Sequence, residues 1–170
     1  MHALDQTWRL LSECLPLAAG EPTMDAAMIT RIVSRALHLL SAIILGGGVF
    51  YIRSVLAETG PDAYFGGRRQ VWARWIAVTS TVLIATGLFN YIMFVRDAKV
   101  PGATALPPTY HMLFGVKFLL AIGVMGVASI VAGKTAAAER ARASMPRWLN
   151  MAWTGIMAIV VIGALMRFFH

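Results

Sequence analysis

The sequence predicts an all-α, polytopic membrane protein whose four transmembrane helices form an up-down bundle. Of its 170 residues, 58% are hydrophobic and only 14% are charged, whereas soluble domains carry about 25% charged residues. Four apolar stretches are each long enough to cross the hydrocarbon core of a bilayer, and the total length suits one domain. The lipid bilayer is therefore the first partner that the sequence predicts.

The first span is predicted at about residues 32–56. Between Arg35 and Arg53 lie about 17 residues without a permanent charge, which is close to the lower limit for a membrane-spanning helix. His38 is the single ionisable side chain among them. Because a histidine that faces lipid is costly, we expect His38 to face other helices. Three glycines at 46–48 would let a neighbouring helix approach closely.

The second span is predicted at about 75–95 and the third at about 110–133. Aromatic residues near both ends of the second span are typical of the aromatic belts of a bilayer: Trp72, Trp75 and Tyr91. The second span also carries Asn90, while the third begins near His111 and contains Lys117. Small residues of the third span predict a face for close helix packing: Gly115, Gly123, Gly126, Ala128 and Ala132.

The fourth span is predicted at about 148–168. It follows a basic, alanine-rich loop at 134–147, in which Pro146 marks the start of the next helix. Short loops between the spans predict that consecutive helices are antiparallel neighbours. Residues 1–30 precede the spans and are expected to form an N-terminal segment outside the membrane, so the predicted transmembrane domain is 31–170.

The basic residues predict a multi-pass protein of the cell (inner) membrane with both termini on the non-cytoplasmic side. The net charge is +7, but the basic residues lie at helix ends and in loops, which is typical of contact with anionic headgroups and not with nucleic acid. Six of them lie on the side that holds the termini and eight on the other, and basic loops favour the cytoplasm. The single cysteine, Cys14, excludes an internal disulfide. A homo-oligomer is left open as a further partner.

Three polar residues are predicted to lie at one depth in the membrane. His38, Asn90 and Lys117 should all lie about 5–10 Å below the face that holds the N-terminus, because a helix rises about 1.5 Å per residue. We expect a polar pocket that opens toward that face and is closed by apolar packing toward the basic loops. Each residue has a structural alternative. His38 could bond to a serine or threonine of a neighbouring helix, Lys117 could reach the headgroups, and Asn90 could join two helices.

The residue types in this pocket suit two cofactors. Imidazole is a ligand for haem iron and for copper, and thioethers suit Cu(I). One hypothesis is a haem b bound by His38, with Lys117 as its charge partner and Asn90 as an orienting group. A second is a copper site or entry path, with His38 and His111 as metal ligands. A third is a structural subunit without a cofactor. No motif for nucleotide binding or hydrolytic catalysis is present.

Short segments of three spans form a recognisable pattern. They are LHLLSA at 37–42, GGVF at 47–50, TGL at 86–88 and VKFLL at 116–120. The pattern resembles the copper-resistance D family, and it is similar to that of the related four-helix, haem-binding protoporphyrinogen oxidases of bacterial membranes. The likeness extends over about residues 30–168. It implies either a copper uptake or resistance permease, or a haem-linked oxidase. In those oxidases a first-helix histidine and a third-helix lysine are tied to haem and activity. They correspond to His38 and Lys117, so the resemblance makes Lys117 a catalytic candidate.

Overall fold

The computed structural model describes residues 25–54, 68–102 and 105–169. These residues form five α-helices and one final 3-10 turn: α1 (Ala26–Ser54), α2 (Arg69–Asp97), α3 (Pro108–Ala132), α4 (Ala136–Ala143), α5 (Met145–Met166) and the turn Arg167–Phe169. Of these, α1, α2, α3 and α5 are long and apolar enough to cross a membrane. The predicted all-α, multi-pass membrane fold with four spans is therefore confirmed.

The helix bounds differ from the predicted spans mainly at the starts of the helices. Helix α1 begins at Ala26 and α2 at Arg69, several residues earlier than predicted. Hydropathy marks only the uncharged apolar part of a helix, whereas α1 and α2 extend beyond it to include Arg31 and Arg69. Helices α3 and α5 each have a proline in their first turn, where its fixed φ and missing N–H cost little.

Helix α4 is the one element that the sequence analysis did not anticipate. The interpretation of 134–147 as a loop was wrong, because residues 136–143 are helical. Alanine has the highest helix propensity, and the Thr135 hydroxyl caps the new helix by accepting a hydrogen bond from the Ala138 N–H (3.2 Å). At its other end, the Arg142 guanidinium donates to the backbone carbonyls of Gly133 (2.7 Å) and Val131 (3.3 Å), which ties α4 to the end of α3.

The chain divides into two compact units within α1. The first unit ends at Val33 and the second is 34–170. Only residues 25–33 of the first unit are described, as the start of α1, where the Asp25 carboxylate accepts a hydrogen bond from the Met28 N–H (2.7 Å). Most of the predicted N-terminal segment, including Cys14, therefore lies outside the described residues. The helix contacts and the cavity described next all belong to the second unit.

In the second unit the four long helices form a closed ring of antiparallel neighbours. His38 near the start of α1 lies against Gly87 near the end of α2, and Gly48 farther along α1 lies against Trp72 at the start of α2. The remaining pairs of helices meet in the same antiparallel sense: Tyr91 with Phe114, Lys117 with Gly163, Val124 with Gly155, and Phe50 with Trp153. The up-down connectivity follows from these pairs.

Tight packing fills the half of the bundle that lies toward the basic loops. The most deeply buried core residues come from the end of α1, the start of α2, the end of α3 and the start of α5: Val49, Ile52, Ile76, Ala128, Val131, Leu149 and Ala152. Gly48 belongs to this half, and a Cβ there would overlap the indole ring of Trp72. The bundle therefore closes through apolar packing on this side.

Only some of the small residues serve the predicted close packing of helices. Gly48 lies in close contact with Trp72 of α2, but a Cβ at Gly47 would meet open space. The glycines of α3 were expected at a helix contact, yet added Cβ atoms would meet nothing within 4 Å at Gly115, Gly123 and Gly126. Sequence spacing could not show which side of α3 faces the bundle. Two other members of that predicted face, Ala128 and Ala132, are buried.

The outward faces of the long helices are apolar. Large exposed side chains include Ile43 of α1 (69% exposed) and Leu119 of α3 (71% exposed). A soluble protein rarely exposes such a continuous apolar surface. These faces are suited to contact with lipid acyl chains, which confirms the bilayer as a partner of the chain.

Candidate functional site

The half of the bundle opposite the basic loops encloses a cavity of about 820 Å³. Helices α1, α2, α3 and α5 all contribute to its wall, and small residues on each of them leave the space unfilled: Ala42, Gly46, Gly87, Ala121 and Gly163. Protein interiors are normally packed without large voids. The cavity falls within the range of about 300–1,000 Å³ that is typical of ligand sites.

The polar groups of the cavity lie at two depths. His38 and Lys117 form the inner level, where Lys117 lies beside Gly163. Arg35 is three residues before His38, and Arg167 is four residues after Gly163. These two arginines form the outer level, about one helical turn or 5.4 Å farther toward the N-terminal face.

The cavity opens at its outer level. Arg35 and Arg167 line it and are exposed to the surroundings. Its floor is formed by side chains that are at most 7% exposed: Leu45, Val124 and Met125. An exposed part of the wall therefore lies toward the face that holds the N-terminus, and the apolar core closes the opposite end. Val160, about one turn deeper than Gly163, also lines the cavity and is 60% exposed.

Thr86 of α2 fixes the His38 imidazole at the inner level. The His38 Nδ1 lies 3.0 Å from the Thr86 Oγ1, and that oxygen lies 2.5 Å from the Val82 carbonyl oxygen. A carbonyl oxygen only accepts hydrogen bonds, so the single hydroxyl proton of Thr86 must lie toward Val82. The Thr86 oxygen then accepts from Nδ1–H of His38. In a neutral imidazole this leaves the Nε2 with an unshared electron pair.

The His38–Thr86 bond is also the contact that a purely structural histidine would make. It joins α1 to α2. The ring fits because Gly87 has no side chain, since a Cβ there would lie only 3.2 Å from the His38 Cε1. The hydrogen bond to Thr86 uses one ring nitrogen. It therefore leaves the second nitrogen for a ligand, as is usual for metal-binding histidines.

Lys117 lies in the cavity wall and not on the lipid face. Its ammonium nitrogen would be 3.3 Å from a Cβ at Gly163, so the side chain reaches across from α3 to α5. His38 lines the same cavity. No aspartate or glutamate is among the described residues that line the cavity. Because its ammonium group lies beside Gly163 inside the bundle, Lys117 does not extend to the headgroups in this structure.

No family model matches the chain, and no curated protein and no solved structure matches it. The resemblance to the copper-resistance D family and the haem-binding oxidases thus rests on the segments named above.

Asn90, the third residue of the predicted polar level, also lines the cavity. Within the described part of the chain its side-chain amide makes no hydrogen bond, so it does not join two helices there. The structure thus brings His38, Asn90 and Lys117 to one cavity. Their roles as ligands or catalytic groups stay predictions.

His111 is not brought to the cavity. It does not line the cavity, and its Nδ1 lies 2.7 Å from the Tyr91 Oη. Tyr91 itself lines the cavity and stacks on Phe114, with ring centroids 3.8 Å apart. The adjacent Met112, whose thioether is a type of ligand that suits Cu(I), is 64% exposed. In the described ranges no group of three histidine, cysteine or acidic residues could hold a metal ion, so the geometry does not assemble the copper path, which stays a prediction.

Three functional candidates escaped the sequence analysis: Thr86, Arg35 and Arg167. Thr86 was one of several hydroxyl residues on the second span, and nothing in the sequence fixed which of them faces His38. The arginines were assigned to topology because basic residues near helix ends usually face headgroups. The i, i+3 spacing of Arg35 and His38 was the available signal, since it places both on one helix face.

Proposed function

We propose that the protein is an integral membrane protein that binds a haem b in this cavity, with His38 as the ligand to iron. The observation that carries the proposal is the anchored imidazole. Its Nδ1 is used by Thr86, which leaves the Nε2 without that partner, and the His38 side chain lines a cavity of about 820 Å³ between four helices. Bundle cores are a common location for such cofactor sites.

The rest of the wall suits a flat apolar molecule with anionic groups. Aromatic and aliphatic side chains dominate the lining, including Phe114, Phe118 and Ile159. Lys117 supplies a positive charge in the wall of the same cavity as His38, and Asn90 offers an amide for orientation. Iron held in such a site supplies one-electron chemistry, with a potential that depends on the axial ligand and on burial.

Membership of the copper-resistance D and haem-oxidase group is part of this proposal, as is a location in the cell inner membrane with both termini outside the cytoplasm. A structural subunit without cofactor is the alternative that the His38–Thr86 bond favours. The two proposals differ in one measurable property, since only the first requires that Nε2 of His38 bind a metal.

The test is the visible absorption spectrum of the detergent-purified protein, as isolated and after titration with haem. We expect the wild-type protein to bind one haem with a distinct Soret band. His38→Ala should lose this band or shift it, because the iron loses its protein ligand. His111→Ala is the matched control, since that histidine lies outside the cavity.

Each other outcome has a defined meaning. Equal Soret bands in His38→Ala and wild type would refute the assignment of His38 as ligand. Absence of haem binding by a folded wild-type protein would favour the structural alternative. Stoichiometric binding of copper without a Soret band would favour the permease. Circular dichroism of each variant confirms that the helices have formed.

A further inference from the structure

The mouth of the cavity carries two arginines on neighbouring helices. Arg35 projects from α1, and Arg167 follows the end of α5. The two helices are in contact below, where a Cβ at Gly46 would lie 3.8 Å from the side chain of Ile156. Both arginines lie one turn above the inner level, and both line the same opening.

These arginines have no negative partner in the cavity. Within the described ranges the carboxylate side chains are those of Asp25, Asp97 and Glu139, and none of them lines the cavity. Lys117 adds a third cationic side chain one turn below. Several positive groups with a low-dielectric wall between them attract an anion much more strongly than the same groups in water.

Apart from His38 and Lys117, the wall below the arginines is mostly apolar. Leu83, Phe118 and Ile159 line this part, and no acidic side chain of the described residues interrupts them. A small inorganic anion would contact the arginines but would leave the apolar wall without a partner. A ligand that contacts both the arginines and the apolar wall has an apolar body and an anionic group at one edge.

We infer that the cavity is a binding site for carboxylated or phosphorylated amphiphiles, whose anionic group is held between Arg35 and Arg167. The planar guanidinium group suits this task because it donates two parallel hydrogen bonds to a carboxylate or phosphate. The inference concerns the site of the proposed function and narrows its ligand class. It requires neither iron nor coordination by His38.

The experiment compares a carboxylate with its ester. The probes are metal-free protoporphyrin, which has two carboxylates, and its dimethyl ester, both added to the purified protein in a neutral detergent. Binding is followed by porphyrin fluorescence anisotropy. We expect the dicarboxylate to bind at least about tenfold more tightly than the ester, since charge-assisted hydrogen bonds are lost in the ester.

The arginine variants assign this preference to the mouth. Arg35→Gln and Arg167→Gln should each lower the acid-to-ester affinity ratio about fivefold to tenfold, and the double variant should abolish the preference. Arg96→Gln is the matched control, because Arg96 is exposed near the same membrane face but does not line the cavity. Arg35→Lys should keep a larger acid-to-ester ratio than Arg35→Gln does, since lysine keeps the positive charge but lacks the planar guanidinium group.

The inference is overturned if the acid and the ester bind equally, or if Arg96→Gln lowers the ratio as much as the two cavity variants do. The ratio within one variant is insensitive to a general loss of folded protein. His38→Ala should retain the ratio, because the probe holds no metal. Loss of haem binding in His38→Ala with an intact ratio supports both proposals, whereas haem binding without an ester effect refutes only this one.

The anionic group could belong to a free amphiphile or to a membrane lipid. Repeating the titration in nanodiscs with phosphatidylcholine alone, and then with added phosphatidylglycerol, separates the two sources. Competition by phosphatidylglycerol that disappears in the double arginine variant assigns the site to a lipid headgroup. Unchanged binding of the dicarboxylate assigns it to a free carboxylate.

Discussion

Replacing Thr86 with valine tests how His38 is held. Valine has nearly the shape of threonine but no hydroxyl, so the packing between α1 and α2 should be kept. The variant removes the acceptor that lies 3.0 Å from the His38 Nδ1. The donor N–H then has no acceptor from Thr86, and the ring is free to turn or to change its tautomer.

The size of the effect follows from the cost of an unsatisfied donor. Leaving a buried N–H without its acceptor costs about 1–3 kcal/mol, which corresponds to about 5-fold to 150-fold in an equilibrium constant. Loss of the outer hydrogen-bond partner of a metal-binding histidine commonly lowers metal affinity about 10-fold to 100-fold. The two ranges overlap, so we expect haem to bind Thr86→Val about tenfold or more weakly than wild type.

The assay is a haem titration followed at the Soret maximum, with the purified variants in detergent. Thr81→Val is the matched control on the same helix, because the Thr81 hydroxyl donates only to the Ala77 carbonyl (2.9 Å) and bonds no histidine. Thr86→Ser keeps the hydroxyl and should restore most of the affinity. The account of His38 is refuted if Thr86→Val binds haem like wild type, or if the Thr81 variant weakens binding equally.

Three further predictions concern the fold and its orientation. Gly48→Ala should lower the free energy of unfolding by about 1–3 kcal/mol in a thermal melt, because its Cβ overlaps Trp72. Gly47→Ala is the control and should be neutral or slightly stabilising, because open space surrounds that position. Equal melting temperatures of the two variants would contradict this prediction. Arg142→Ala should expose the α3–α4 connection to proteolysis, because it removes two hydrogen bonds to backbone carbonyls. Arg140→Ala should not, because Arg140 makes one long bond of 3.5 Å. Equal cleavage rates would show that Arg142 does not hold α4 against the end of α3. A single cysteine placed in the proline-rich loop after α2 should react with an impermeant maleimide on intact cells, and reaction only after lysis would reverse the predicted topology.

The spans, and the presence of the polar residues in one part of the bundle, could be predicted because both follow from positions along each helix. An apolar run of sufficient length dictates a span, and a fixed rise per residue gives the depth of each side chain. His38, Asn90 and Lys117 were found in this way on three different helices, and all three line the cavity.

The partners around these residues could not be predicted, because they depend on how each helix is rotated about its axis. Thr86 lies at nearly the depth of His38, but only the rotation of α2 turns its hydroxyl toward the ring. The same uncertainty explains the glycines of α3. Their spacing is suitable for close packing, yet Gly123 and Gly126 have no neighbour within 4 Å of an added Cβ.

The cavity itself follows from which small residues face inward. Gly87 and Gly163 leave space beside His38 and Lys117, and Arg35 and Arg167 then line an opening that larger residues would have filled. Arginines near the ends of spans are ordinary topology signals in a sequence. Their role at the mouth of a cavity became visible only when the antiparallel register of α1 and α5 was known.

The most direct test of the central claim is solid-state NMR of the protein with ¹⁵N-labelled histidines in lipid bilayers, with His38→Ala used to assign the signals. In the ligand-free protein we expect a protonated Nδ1 and an unprotonated Nε2 for His38. Adding haem should then shift or broaden the His38 signals and leave those of His111 in place. A protonated Nε2, or His38 signals that do not change at saturating haem, would refute His38 as the ligand that Thr86 holds.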